Sequence, residues 1–296
     1  MTPEIKRLYP FTPQKLDLNG LSLSYLDEGP KGPKGAHTLV MLHGNPTWSF
    51  YYRNLVTALS PDFRVIVPDH MGCGLSDKPQ DYDYSLKTHI DNLSALIEHL
   101  GIEEMTLVMH DWGGAIGMGY AVSHRDKIKS LVIFNTAAFT FSHIPFRINI
   151  CRIPVLGEII VRGFNGFVGA AVTGNMATAK PERFTKEARA GYLAPYDSWA
   201  SRIAIHRFVR DIPIKKSHKS YSTLKKIENG LELFSEAPAL VIWGKKDWCF
   251  DERFLDIWRG KLKNAETYIM EEAGHFVVED AHEKIVPLMR SFLSRR

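Results

Sequence analysis

Three side chains in this chain have the chemistry of a nucleophile, an acid and a base: Asp111, Asp247 and His275. Asp111 follows the apolar run Leu107-Val108-Met109-His110, which reads as a buried strand. It precedes Gly113-Gly114-Ala115-Ile116-Gly117-Met118, which reads as a tightly packed helix. It therefore sits at a strand-to-helix turn, where a side chain stands above the sheet edge with the positive end of the helix beneath it. A carboxylate placed there can attack an electrophilic sp3 or strained carbon to give an alkyl-enzyme ester. A His–Asp pair can then activate water against that ester's carbonyl. No G-x-S-x-G occurs in the chain, so serine-type acyl transfer lacks its usual signature.

Taken singly, each residue has a plain alternative. Asp111 could cap the following helix, Asp247 could be a turn residue, and His275 could be a satisfied histidine at a helix start. Their joint placement weighs against this, because all three fall at strand ends, where active sites in parallel sheets gather. Asp247 follows the apolar strand Pro238 to Gly244 through Lys245-Lys246, and His275 follows the last strand. The strand ending at Phe134 offers only Asn135-Thr136, so the acid is assigned to Asp247, with Asp251 in reserve. Asn45, in His43-Gly44-Asn45-Pro46, and Trp112 carry side-chain NH donors that can hold a halide or a developing oxyanion. Their backbone N–H groups would supply an oxyanion hole. Trp112 could instead be buried for its area alone.

The elements that must position these groups alternate in type. A hairpin spans Leu16 to Asp27 around Asn19-Gly20, and strands are read at Thr38–Leu42, Phe63–Val67, Ile128–Phe134, Pro238–Gly244 and Glu266–Met270. Helices are read at Trp48 to Leu59, after the N-cap Ser85 as far as Gly101, near Glu252 to Trp258, and from Gly274-His275 to Leu293. Such alternation implies an α/β fold with a mostly parallel sheet, eight-stranded on this count and covered by helices on both faces. From about Phe139 to Gly230 there are helical patterns and prolines with no confident strand. The expected division is a core of residues 1–138 and 231–296 with an inserted helical cap at 139–230.

The chain has 296 residues, 45% of them hydrophobic, enough for one large core plus an inserted subdomain. Cys73, Cys151 and Cys249 are an odd set without metal-ligand spacing, suiting a reducing cytoplasm and a packing role. Met1 to Arg7 has no signal-peptide core, and no run is long and apolar enough to span a bilayer, so a soluble, unprocessed, cytoplasmic protein is expected. The net charge is +4, but residues 139–230 hold 15 Lys/Arg against 6 Asp/Glu. A solvated face accounts for this most simply, with an anionic membrane or acidic partner as the second reading; no nucleic-acid motif is present. No metal or cofactor constellation appears.

With these residues in hand, the chain resembles the haloalkane dehalogenases within the α/β-hydrolase fold. His43-Gly44-Asn45-Pro46, His110-Asp111-Trp112-Gly113, Asp247 and Gly274-His275 match that family's motifs, in its order of nucleophile, acid and histidine. Met109 departs from it, standing where many members have a small residue. Epoxide hydrolases share the aspartate and use two cap tyrosines, for which Tyr192 and Tyr196 are available, but usually have an aromatic residue at the position of Asn45. Fluoroacetate dehalogenases usually have arginine where Trp112 stands. The segment Tyr192 to Ile203, continuing to Pro213, is similar to the branch containing the β-lactone decarboxylases of bacterial long-chain olefin biosynthesis. That likeness implies conversion of a cis-β-lactone to an alkene and carbon dioxide. Asp111 would attack the lactone, Asn45 and Trp112 would bind its oxygen, and no hydrolytic water is needed. It also implies work beside lactone-forming and condensing enzymes, which the basic cap would dock, or contact with a membrane. Haloalkane dehalogenation is the second expectation, and a non-catalytic relative that binds a small apolar ligand is the third.

Overall fold

The computed structural model describes residues 2–31, 37–142, 144–173 and 176–295. Its strands are β1 (Gln14–Leu18), β2 (Leu21–Glu28), β3 (Thr38–Leu42), β4 (Arg64–Pro68), β5 (Met105–Asp111), β6 (Ile128–Thr136), β7 (Ala239–Gly244) and β8 (Ala265–Met270). They form one eight-stranded sheet in the order β1-β2-β4-β3-β5-β6-β7-β8, and from β4 to β8 every neighbouring pair is parallel. β1 and β2 are the antiparallel hairpin, turning at Asn19 and Gly20 with φ of 55° and 84°, the left-handed pair that suits a tight hairpin. The central strands read as apolar runs because helices cover both faces, and every residue of β5 and β7 is buried; β8, at the sheet edge, is buried only at Met270.

Chain order and spatial order part company at β3. After β3 the chain moves outward to β4, then returns by the Leu86–His99 helix to lay β5 on the other side of β3. The carboxyl ends of β3 and β5 therefore flank a switch point, the place where an open parallel sheet leaves a crevice. Ser85 accepts the Thr88 N–H to start that helix, and Gly101, with φ of 59°, ends it. The helix read over Trp48–Leu59 is a 3-10 turn at Ser49–Tyr52 followed by an α-helix at Arg53–Leu59. The last helix begins at Val277, two residues later than read, and bends at Ala281.

Among the described residues of 139–230 there are helices and loops but no strand. The last helix of this stretch, Tyr221–Gly230, packs against the Trp112–Ser123 and Leu86–His99 helices and so belongs with the layer flanking the sheet. The rest lies over the strand ends. Two polar clusters fasten it there. Arg53 makes a two-pronged ion pair with Glu279 at 2.6 and 2.8 Å, and the Tyr192 hydroxyl donates to the same carboxylate at 2.8 Å, all buried. Asp280, fully buried, accepts the Thr178 hydroxyl, the Ala179 N–H at 2.8 Å and, from the other side, the Gly274 N–H at 2.7 Å.

Candidate active site

Asp111 ends β5 with φ 51° and ψ −124°, a conformation that ordinary L-residues avoid and that lifts the side chain off the sheet. It makes no side-chain cap for the helix that follows, so the alternative reading of Asp111 as a helix cap fails. Two close approaches make the turn this sharp. A Cβ on Gly113 would lie 2.0 Å from the Leu42 carbonyl oxygen, and one on Gly44 would lie 2.1 Å from Asp111 Oδ1. The Thr136 hydroxyl donates to the Asp111 carbonyl and ties the turn to β6. Met109 is accommodated against Gly117, whose missing side chain leaves room for the thioether.

The Asn45 backbone N–H donates to Asp111 Oδ1 at 2.6 Å, leaving Oδ2 turned toward His275, whose Nε2 is 3.7 Å away. On its other side the imidazole Nδ1 lies 2.8 Å from Asp247 Oδ2. Asp247 Oδ1 accepts the Cys249 and Phe250 N–H groups at 2.7 and 3.1 Å, so the carboxylate is aimed by its own loop. Asp251 caps the Glu252–Lys261 helix and pairs with Arg253. Asn135 bridges β6 to Gly244 through both ends of its amide, a structural use of the other position where an acid could have stood. Beneath the histidine, His110 Nε2 donates to the His275 carbonyl at 2.9 Å, with its ring stacked on Tyr51.

Burial raises the pKa of Asp111, and the His275 charge with the Trp112 and Asn45 N–H groups pulls against that rise. For His275 burial disfavours the cation, but Asp247 and then Asp111 outweigh it, and its pKa is raised. His110 is driven well down by burial and by the neighbouring His275, so it stays neutral.

The Asn45 side chain departs in one respect from its expected use. One of its amide N–H bonds goes to the Ile205 carbonyl at 3.1 Å, in the Ile203–Asp211 helix, and its buried Oδ1 has no hydrogen-bond partner among the described residues. Trp112 lines the cavity and lies against Phe208, 5.3 Å between ring centres. Tyr192 and Tyr196 are spent elsewhere, on Glu279 and on the Thr47 carbonyl, and neither lines the two cavities that open from Asp111, so the pair of tyrosines an epoxide hydrolase uses is not in this site.

Two cavities open from Asp111. One, of about 140 Å³, runs past Ala115, Ala137, Phe139 and Leu224. The other, of about 240 Å³, runs past Ile150, Ala170, Ala171 and Met176. They share Asn45, Asp111, Ile148, Phe167 and Cys249, so the space is a fork with the nucleophile at its branch. Both arms are walled almost wholly by apolar side chains. Ile148 and Phe167 were not singled out from sequence, since an apolar residue in a helical stretch carries no mark of facing a site; Cys249, read as a packing residue, lies in the loop after Asp247 and lines both arms.

The α/β-hydrolase fold family matches residues 37–156 and 172–281. The cis-3-alkyl-4-alkyloxetan-2-one decarboxylases of Shewanella oneidensis and Xanthomonas campestris pv. campestris are each 44% identical to this chain. The alignments cover 97% of it and 90% and 97% of those proteins. Haloalkane dehalogenase 2 of Mycobacterium tuberculosis is 29% identical over 96% of this chain and 95% of its own. Among solved structures, the ancestral haloalkane dehalogenase AncHLD2 superposes with a TM-score of 0.86 at 27% identity, covering 95% of this chain and 98% of that one. The haloalkane dehalogenase DatA of Agrobacterium tumefaciens superposes with a TM-score of 0.85 at 25% identity, covering 96% of each.

Proposed function

The chain belongs to the α/β-hydrolase fold family and, within it, to the group of the cis-3-alkyl-4-alkyloxetan-2-one decarboxylases, and from that premise we propose that it is a β-lactone decarboxylase, releasing an olefin and carbon dioxide. The observation that carries this reading is the fork. A cis-β-lactone bears alkyl chains on two adjacent ring carbons. A site with a carboxylate at the branch of two apolar arms accepts the ring at Asp111 and one chain in each arm.

The reaction follows from the residues. Asp111 Oδ2 attacks C4, the ring carbon bonded to the ring oxygen, and that carbon–oxygen bond breaks, giving an ester to Asp111 and freeing a carboxylate on C3. The C3–carboxylate bond then breaks to release carbon dioxide. Its electron pair becomes the C3–C4 π bond, and the ester oxygen leaves C4, regenerating the Asp111 carboxylate. No water or proton is consumed. In this reading Asn45 and Trp112 bind the lactone oxygen and the nascent carboxylate, and His275, cationic beside Asp247, stabilises that negative charge. In this proposal the core is residues 1–138 and 231–296 joined by the Tyr221–Gly230 helix, and the rest of 139–230 is the cap, which walls the arms together with core side chains.

Haloalkane dehalogenation is the second reading. It is favoured by the 3.7 Å between His275 Nε2 and Asp111 Oδ2, which leaves the imidazole in reach of a water at the ester carbonyl. Lactone-forming and condensing enzymes, or a membrane, are the partners this function would bring to the basic cap.

The test is gas-chromatographic analysis of purified protein given a disubstituted cis-β-lactone and, separately, a haloalkane, with Asp111→Ala as control. Alkene from the wild type and none from the variant is the expected result. Intact lactone with Asp111-dependent halide release would replace the proposal with the second reading. Turnover of neither would leave a ligand-binding protein.

A further inference from the structure

A lactone with two long alkyl chains partitions into membranes, so the outer face of the cap bears on where this substrate is met. That face is apolar. Val155 is 71% exposed, Leu156 47% and Ile159 42%, at the spacing that puts them on one side of a helical turn. Ile153 and Phe164 extend the strip, and Phe146, 77% exposed, stands at the head of the Phe146–Arg152 helix. Large exposed apolar patches are uncommon on a protein that meets only water.

Cations border this strip, and their neighbouring acids are already engaged. Arg152 donates to the Val209 and Ile212 carbonyls, drawing the end of the Ile203–Asp211 helix beside Ile153, and Arg210 donates to the Arg152 carbonyl at 3.1 Å. Arg207, Arg210, Lys215 and Lys216 are exposed, and among the described residues none of the four forms an ion pair. Glu158 is held by Arg162 at 2.6 Å. Asp211 is buried, taking the Ser220 hydroxyl and the Leu86 N–H. The same layer walls the site on its inner side: Ile150, Cys151 and Ile160 line one arm, Ile212 and Pro213 the other.

We propose that this face docks on an anionic lipid bilayer, the apolar strip at the boundary of headgroups and acyl chains and the four cations on the anionic headgroups. No described helix is long and apolar enough to cross a membrane, so the contact is peripheral. The purpose of the contact rests on the substrate reading above; the contact itself does not.

The experiment is sedimentation of the full chain with vesicles of phosphatidylethanolamine and phosphatidylglycerol, and with phosphatidylcholine alone. Two double variants outside both arms are compared, Val155→Asp/Leu156→Asp and Lys215→Glu/Lys216→Glu. The wild type sediments with the anionic vesicles, and each variant loses roughly tenfold in partitioning. Thermal melting and turnover of a short-chain β-lactone in buffer stay at wild-type values. A wild type that remains in the supernatant, or variants that sediment with it, overturns the proposal. So does a concentration-dependent dimer abolished by Val155→Asp/Leu156→Asp, which would assign the face to a second copy of the chain. Vesicle binding without lactone turnover would leave the docking face standing and remove the decarboxylase reading instead.

Discussion

Whether His275 carries a proton decides which reaction Asp111 can complete. Decarboxylation uses the cation, which stabilises the carboxylate freed by ring opening, whereas hydrolysis of an alkyl-enzyme ester uses the neutral ring as base. Because the His275 pKa is raised, the cation persists to higher pH than for a free histidine. Lactone turnover therefore falls as pH rises through that raised value, and falls again on the acid side as Asp111, also raised, takes up a proton. A dehalogenase would show the opposite slope at the His275 limb. Asp247→Asn removes the largest influence holding the cation, so the alkaline limb moves to lower pH and kcat drops by about a hundredfold. A pH–rate series on both forms checks this. Asp111, Asp247 and His275 were legible because their types are rare together at strand ends. The bond from Asn45 to Ile205 was not, since it joins residues 160 positions apart.

At the scale of elements, the cap is anchored through the Tyr192 hydroxyl to a buried ion pair between two core helices, Arg53 with Glu279, and such a pair is costly to break from one side. Glu279→Ala leaves the Arg53 guanidinium buried without its counter-charge, beside the Phe50 carbonyl and ring and the Tyr192 ring, and should lower stability by about 3–5 kcal/mol. Replacing both partners, as in Arg53→Met/Glu279→Leu, should recover most of that loss. Urea unfolding of the three proteins reads the difference. None of this was visible in the sequence, where Arg53 and Glu279 lie in separate amphipathic stretches. The central strands were visible as short apolar runs closed by turns, and the hairpin by its alternation around Asn19 and Gly20. The Tyr221–Gly230 helix was grouped with the cap because a helical pattern does not say which neighbour it packs against.

For the whole molecule, the fork makes substrate length a matter of two independent measures. Filling one arm should shorten the chain accepted on one ring carbon only. Ala171→Phe narrows the larger arm and Ala137→Phe the smaller. Given lactones that differ in a single chain, each variant should lose roughly tenfold or more for each methylene that no longer fits, on opposite members of the pair. Competition assays with product chromatography measure this. The sequence announced a cap and a nucleophile but no volume, because volume arises from side chains brought together across the whole fold.

Asp280 gives the roof and the catalytic loop one carboxylate to share. Its oxygens hold residues 178 and 179 above and the Gly274 N–H below, and Phe276 N–H reaches up to the Ala177 carbonyl at 2.6 Å. Displacing that stretch of the cap would therefore free the Phe276 N–H beside His275 and leave Asp280 holding Gly274 alone. The wall of the arms and the loop that carries the imidazole thus rest on one side chain.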